Sequence, residues 1–143
     1  MSLLVLNELI AAHQKGSNDK NEFIVDERMV AAFNSVLDAA LADPSLDKAM
    51  LANLLLLPSE SYLAELTDVV DVDAIHFARE FLRRYLAGKL ENKFMAVYAA
   101  CSSSEEYLFN AQEIARRYLK NTVLNYLACL DKPEHWALIK EQY

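Results

Sequence analysis

Apolar residues recur at three- and four-residue steps along most of the chain, which is the spacing of amphipathic helices. The clearest case opens at Asp26, after which these apolar positions keep the rhythm: Met29, Val30, Phe33, Val36, Leu37, Ala40 and Leu41. A first helix is predicted over residues 2–14, and Gly16 with the polar run after it should end that helix. The pattern therefore predicts two helices separated by a long loop in the first third of the chain.

Two prolines suggest the boundaries of the next helices. Asp43 is predicted to cap a third helix with Pro44 in its first turn, where a missing N–H costs nothing. Its buried stripe is predicted to consist of Met50, Leu54 and Leu57. A residue that precedes proline disfavours the helical conformation, so Pro58 should end this helix at Leu57. Ser59 can then cap a short fourth helix.

The fifth helix is predicted to begin at Asp71 or Asp73 and to break at Gly88. Its buried face is predicted as Ile75, Ala78, Leu82 and Tyr85. Beyond the glycine, the helical spacing resumes at Leu90, Phe94, Val97, Tyr98 and Cys101. This segment is either a kinked continuation or a separate sixth helix.

The seventh helix has the best-defined start, because Asn110 and Glu113 form an N-x-x-E capping arrangement. It should run to about Leu130, and apolar residues nearly surround it, which predicts a central position in the fold. Asp131 is predicted to cap a last helix with Pro133 in the first turn.

Helices joined by short turns predict an all-α fold of stacked antiparallel helix hairpins, either an α-α superhelix or a closed bundle. The 143 residues, with only 2 glycines and 3 prolines, suit a single helical domain over 1–143. The last helix has barely three turns, so we expect the chain to be part of a longer domain. That expectation favours the superhelix.

Charge and hydropathy exclude some partners. The formal charge is -7 and the basic residues are scattered, so nucleic acid is not an expected partner. The apolar runs fall well short of the roughly 20 residues that cross a bilayer, and no leader segment opens the chain, so we expect a cytoplasmic protein. A hydrophobic share of 54% predicts exposed apolar surface and self-association at high concentration.

His76 and Glu80 are one helical turn apart, and they are the only pair including a histidine that has metal-ligand spacing. Two arginines follow Glu80 at three and four residues and compete for it, so a surface or interface role is the better interpretation. His13 and His135 are interpreted as polar or capping residues. None of the three histidines is predicted to be catalytic.

Other reactive side chains also lack a chemical context. Cys101 and Cys129 have no C-x-x-C spacing and are predicted to stay reduced in apolar surroundings. Ser102–Ser104 lie in an acidic segment without a base, and the two glycines cannot form a phosphate-binding loop. We therefore predict no catalytic, cofactor-binding or metal-binding residue in this chain.

Two groups of residues are assigned to packing and contacts. The basic cluster of Arg116, Arg117 and Lys120 is a candidate contact with another domain, with an anionic ligand as the alternative. Six tyrosines are assigned to core or interface packing: Tyr62, Tyr85, Tyr98, Tyr107, Tyr118 and Tyr126.

Three segments carry a family resemblance: NELIAAHQKG, ANLLLLPSESYLAELTDVVDVDAIHFAREFLRRYLAGKL and EIARRYLKNTVLNYLACL. In this order, they resemble the C-terminal helical domain of bacterial aminopeptidase N, a zinc metallopeptidase family. The resemblance covers nearly the whole chain and involves structural helices rather than a catalytic motif.

The resemblance implies a parent enzyme that removes N-terminal amino acids from peptides with a zinc-activated water. Its zinc ligands, in an H-E-x-x-H helix and a downstream Glu, and its G-x-M-E-N type segment are absent from this sequence and would precede Met1. In the family, this domain covers the catalytic domain and encloses the substrate chamber. The chain alone should be inactive, with the remaining domains as partners and peptide substrates reached through the parent. The alternative is a stand-alone helical adaptor that binds a peptide in a groove.

Overall fold

Eight α-helices form the regular structure of residues 2–15, 25–43, 45–102 and 110–142, which are the residues this computed structural model describes. They are α1 (Ser2–Gln14), α2 (Glu27–Ala42), α3 (Lys48–Leu54), α4 (Glu60–Glu65), α5 (Val72–Lys89), α6 (Glu91–Ala100), α7 (Ala111–Ala128) and α8 (Pro133–Gln142). These ranges contain no strand, and none of their helices is long and apolar enough to cross a membrane. The all-α prediction is confirmed. The predictions for Gly16, Pro44 and Tyr107 lie outside the described residues.

Side-chain caps fix the starts of several helices as predicted. The Ser59 hydroxyl accepts from the Tyr62 N–H at the start of α4, and the Asp71 carboxylate accepts from the Ala74 N–H at the start of α5. Asn110 accepts from the Glu113 N–H at 2.9 Å and opens α7. Such caps satisfy backbone donors that have no partner within the helix, which is why local sequence specified these boundaries.

The third helix was predicted incorrectly. Asp47, not Asp43, caps α3 and accepts from the Ala49 N–H, whereas the Asp43 carboxylate accepts from the Ser45 N–H in the turn after α2. Both aspartates can cap a helix, and the turn at Ser45 satisfies the first of them. The later start also changes which face is buried. Leu51, Ala52 and Leu55 are buried, while Met50 and Leu54 are 46% and 55% exposed.

The fifth helix continues through Gly88 and ends only at Lys89. Leu90 lies between α5 and α6, so the segment beyond it is a separate sixth helix. A Cβ at position 88 would meet only the Leu130 side chain, at 3.9 Å. The predicted break therefore occurs two residues later than the glycine.

The seventh helix is central, as predicted, because it packs against α3, α5, α6 and α8. Tyr126 lies in its core-facing side, with its ring stacked on Phe94 at a centroid distance of 4.9 Å and in edge contact with Phe33 at 6.0 Å. The Tyr126 hydroxyl donates to the Leu55 carbonyl and so joins α7 to the end of α3. Elsewhere α1 packs on α5, α4 on α5, and α2 on α3 and α6.

The turn into α8 differs from the prediction. Asp131 has a φ of 53°, in the left-handed region that aspartate tolerates better than most residues. Its carboxylate accepts from the Trp136 indole N–H at 2.8 Å instead of capping the backbone. Pro133 is the first residue of α8, as predicted.

Candidate functional site

A groove of about 560 Å³ extends along one side of α5. Most of its lining comes from α5 itself at steps of three and four residues, with one contribution from α4. The lining residues are Glu60, Val72, Asp73, His76, Phe77, Glu80, Phe81, Arg84 and Tyr85. One helical face therefore forms the floor of the groove.

A row of aromatic rings forms the apolar part of this floor. Phe77 and Phe81 are stacked with centroids 6.2 Å apart, and Phe81 and Tyr85 repeat the same distance. The His13 ring of α1 lies 4.7 Å from Phe77, and Lys89 Nζ lies 5.6 Å from the Tyr85 ring. These rings are only partly buried, so the floor offers aromatic surface to a bound molecule.

Sequence reasoning missed this aromatic row. Tyr85 was predicted on the buried face of α5, but Leu86 is fully buried there and Tyr85 lies in the groove. The missed signal was the four-residue spacing of Phe77, Phe81 and Tyr85, which is one position out of phase with the buried Ala78 and Leu82.

His76 and Glu80 both line the groove but form hydrogen bonds with different partners. His76 Nδ1 lies 2.8 Å from a Glu60 carboxylate oxygen, and Glu80 accepts from Arg83 at 2.9 Å. The two side chains therefore bond to different partners, and their surface or interface role stays a prediction. Asp73 and Arg84, by contrast, form no hydrogen bond or ion pair with another described residue.

A second polar cluster joins α6 to α8. Glu91 accepts from Lys132 Nζ at 2.9 Å through both carboxylate oxygens, and His135 Nε2 lies 2.9 Å from the same carboxylate. The Lys132 ammonium first, and His135 second, hold the Glu91 pKa below its usual value. His135 was interpreted as a polar or capping residue, yet only 1% of it is exposed. The partners are 41 and 44 residues apart, so no sequence spacing indicated them.

Glu91, Glu134 and His135 offer ligand atoms within 4.8 Å of one another, as a cation site would. Lys132 already places an ammonium on Glu91, so a metal ion would have to displace it. We interpret this cluster as the ionic contact that holds α8 against α6.

Both cysteines are free thiols. Burial raises the pKa of Cys101 and of Cys129, which keeps them protonated at neutral pH. Ser102 donates to the Tyr98 carbonyl at 2.7 Å, whereas Ser103 and Ser104 are outside the described residues. The arrangement gives no activated nucleophile among the described residues.

The basic cluster on α7 is largely engaged within the chain. Arg116 pairs with Glu113 at 2.8 Å and donates to the Cys101 carbonyl, while Lys120 Nζ lies 5.2 Å from the Tyr98 ring. Arg117 also has an interaction partner. Contact between this cluster and another domain stays a prediction.

The chain matches a known protein family and resembles parts of known aminopeptidases. Residues 1–143 match the family described as "Domain of unknown function (DUF3458_C) ARM repeats". The chain is 37% identical to aminopeptidase N of Escherichia coli (strain K12), over 94% of this chain and 14% of that protein. It is 30% identical to aminopeptidase N of Caulobacter vibrioides, over 91% and 14% respectively. The chain thus spans about one-seventh of these relatives.

The fold also has a solved counterpart. A crystal structure of Legionella pneumophila aminopeptidase A in complex with aspartic acid matches with a TM-score of 0.70 and 23% identity. The match covers 94% of this chain and 16% of that one. At this identity the match supports the fold alone. Together with the ARM-repeat family, it supports the superhelical form of the all-α prediction.

Proposed function

We propose that this chain, which belongs to the DUF3458_C ARM-repeat family, is a noncatalytic helical segment of a larger aminopeptidase. The observation that carries the proposal is coverage: nearly all of this chain matches, yet it accounts for only 14% of each of the two aminopeptidase N relatives compared above. The same observation favours this reading over a stand-alone adaptor, because the relatives bear the name of an enzyme.

The residues present do not fit the catalytic zinc of such an enzyme. The sequence has three histidines, His13, His76 and His135, and none belongs to an H-E-x-x-H motif. His13 packs on Phe77, His76 bonds to Glu60, and His135 bonds to Glu91. We therefore place the zinc and the peptide hydrolysis in another part of the parent.

The role proposed for this chain is to cover the catalytic domain and help enclose the chamber that admits peptides. Its exposed apolar residues supply contact surface for the neighbouring domains. They include Met50, Leu54, Leu56, Tyr62, Leu66, Val69 and Val70. The same surface accounts for the predicted self-association of the chain at high concentration. A cytoplasmic location is part of the proposal and accords with the two free cysteines.

Two measurements test this function. The purified chain should not hydrolyse an alanyl anilide, with or without added Zn²⁺, and chelator-sensitive hydrolysis would contradict the proposal. In the full-length gene product, chemical cross-linking with mass spectrometry should connect lysines of this chain to a domain that contains H-E-x-x-H. A gene product without that motif would also reject the proposal.

A further inference from the structure

We infer that the groove along α5 binds short free peptides, with the peptide's amino end at Asp73 and its carboxyl end at Arg84. The inference rests on the proposed function only for the source of the peptides, since an aminopeptidase handles them. The binding site itself is argued from three properties of the groove: its charged ends, its length and its aromatic floor.

The two ends of the groove carry opposite charges that form no hydrogen bond or ion pair within the described part of the chain. Asp73 lies in the first turn of α5 and Arg84 near its other end, and neither forms a hydrogen bond or ion pair with another described residue. The partial positive charge of the helix N-terminus opposes an ammonium at Asp73, but the Glu60 carboxylate adds a second negative charge to this lining. A zwitterionic ligand complements both ends at once.

The separation of these ends sets the ligand's length. Residues 73 and 84 are eleven positions apart, which corresponds to about 16 Å along a helix. An extended peptide advances about 3.3–3.6 Å per residue, so about five residues span this distance. The volume of about 560 Å³ also lies within the range of roughly 300–1,000 Å³ that is typical of ligand pockets.

The floor between the ends suits apolar side chains. Phe77, Phe81 and Tyr85 present stacked and partly exposed rings along the groove. The polar groups in this middle section are already bonded, His76 to Glu60 and Glu80 to Arg83. A peptide with an aromatic or aliphatic central residue therefore gains ring contacts without breaking an ion pair.

A second copy of the chain is a poorer occupant of this groove. Each copy has a formal charge of -7, which opposes the approach of a second copy, so self-association through exposed apolar residues is expected only at high concentration. A blocked or purely cationic peptide satisfies one end of the groove and leaves the other without a partner. The unblocked short peptide is the occupant that the charges favour.

The test is an NMR titration of the ¹⁵N-labelled chain with the unblocked pentapeptide AAFAA, its N-acetylated form and its C-amidated form. The changes in chemical shift should concentrate on residues of α5. Each blocking group should weaken peptide binding about two- to fivefold, as expected for the loss of an exposed ion pair. Asp73→Asn should remove the penalty of acetylation, and Arg84→Gln should remove the penalty of amidation.

Matched controls separate the ends of the groove from net charge. Glu27→Gln also removes a first-turn acid, from α2, and Lys140→Gln removes a base from the last turn of α8. Both should leave the three affinities unchanged. Any of four results would overturn the inference. They are equal affinities for all three peptides, chemical-shift changes away from α5, no binding at 10 mM peptide, and a dimer that covers the groove. None of these results would alter the cross-linking expected from the proposed function.

Discussion

Replacing Tyr126 by phenylalanine should destabilise the fold through one hydrogen bond. The ring remains in place on Phe94, so packing is preserved, but the Leu55 carbonyl loses its donor. Tyr126 is 5% exposed and Leu55 is fully buried, so water has little access to replace the hydroxyl. A buried acceptor left without a partner costs about 1–3 kcal/mol. A loss of about 2 kcal/mol lowers Tm by roughly 4–8 °C in a chain of this size.

Urea denaturation followed by circular dichroism measures this loss, and Tyr118→Phe is the matched control. The Tyr118 hydroxyl donates to the Asn53 side chain at 3.0 Å, but Tyr118 is 37% exposed and water can take its place. The control should change the free energy of unfolding by less than about 0.5 kcal/mol. Equal losses in the two variants would refute the assignment of Tyr126 as the buried link between α7 and α3.

Three further predictions concern a pH effect, a helix cap and the thiols. Because the Glu91 pKa is lowered in the folded state, its carboxylate adds stability that is complete above the unfolded pKa of 4.5 and is lost as pH falls through the folded pKa. The difference in unfolding free energy between wild type and Glu91→Gln should therefore shrink below pH 4.5. A constant difference in urea denaturation from pH 3 to 7 would contradict this. Asp71→Ala should lower the free energy of unfolding by about 1 kcal/mol, because the Ala74 N–H loses its cap. Asp71→Asn is the conservative control, and equal urea midpoints for the two variants would count against the cap. Cys129 is less buried than Cys101 and should react faster with Ellman's reagent. The C101S chain, which retains Cys129, should therefore react faster than the C129S chain, which retains Cys101. Equal rates would argue against the assigned burial.

The predictable parts of this fold were those encoded over a few residues. Ser59 and Asn110 cap helices whose first turns follow them directly in the sequence, so the neighbouring residues were enough to predict both caps. Asp43 and Asp47 are equally good caps in sequence, and only the turn at Ser45 separates them. Local patterns could not choose between two valid aspartates.

The candidate groove depends on contacts between helices, so only part of it could be predicted from the sequence. The His76–Glu60 pair joins α5 to α4, and the His13 ring reaches the floor from α1. Such pairs follow from how the helices pack, which helical periodicity does not specify. That Asp73 and Arg84 form no hydrogen bond or ion pair with another described residue is likewise a property of the folded surface.

The pairing of α1 with α5 has a consequence for synthesis on the ribosome. The apolar face of α1, with Val5, Leu6, Leu9 and Ile10, packs on a helix that begins about 60 residues later. At about 5–20 residues per second, roughly 3–12 s pass before synthesis of α5 begins. Until then the apolar face of α1 has no α5 to pack on, so slowing translation between the two helices should increase aggregation of the new chain.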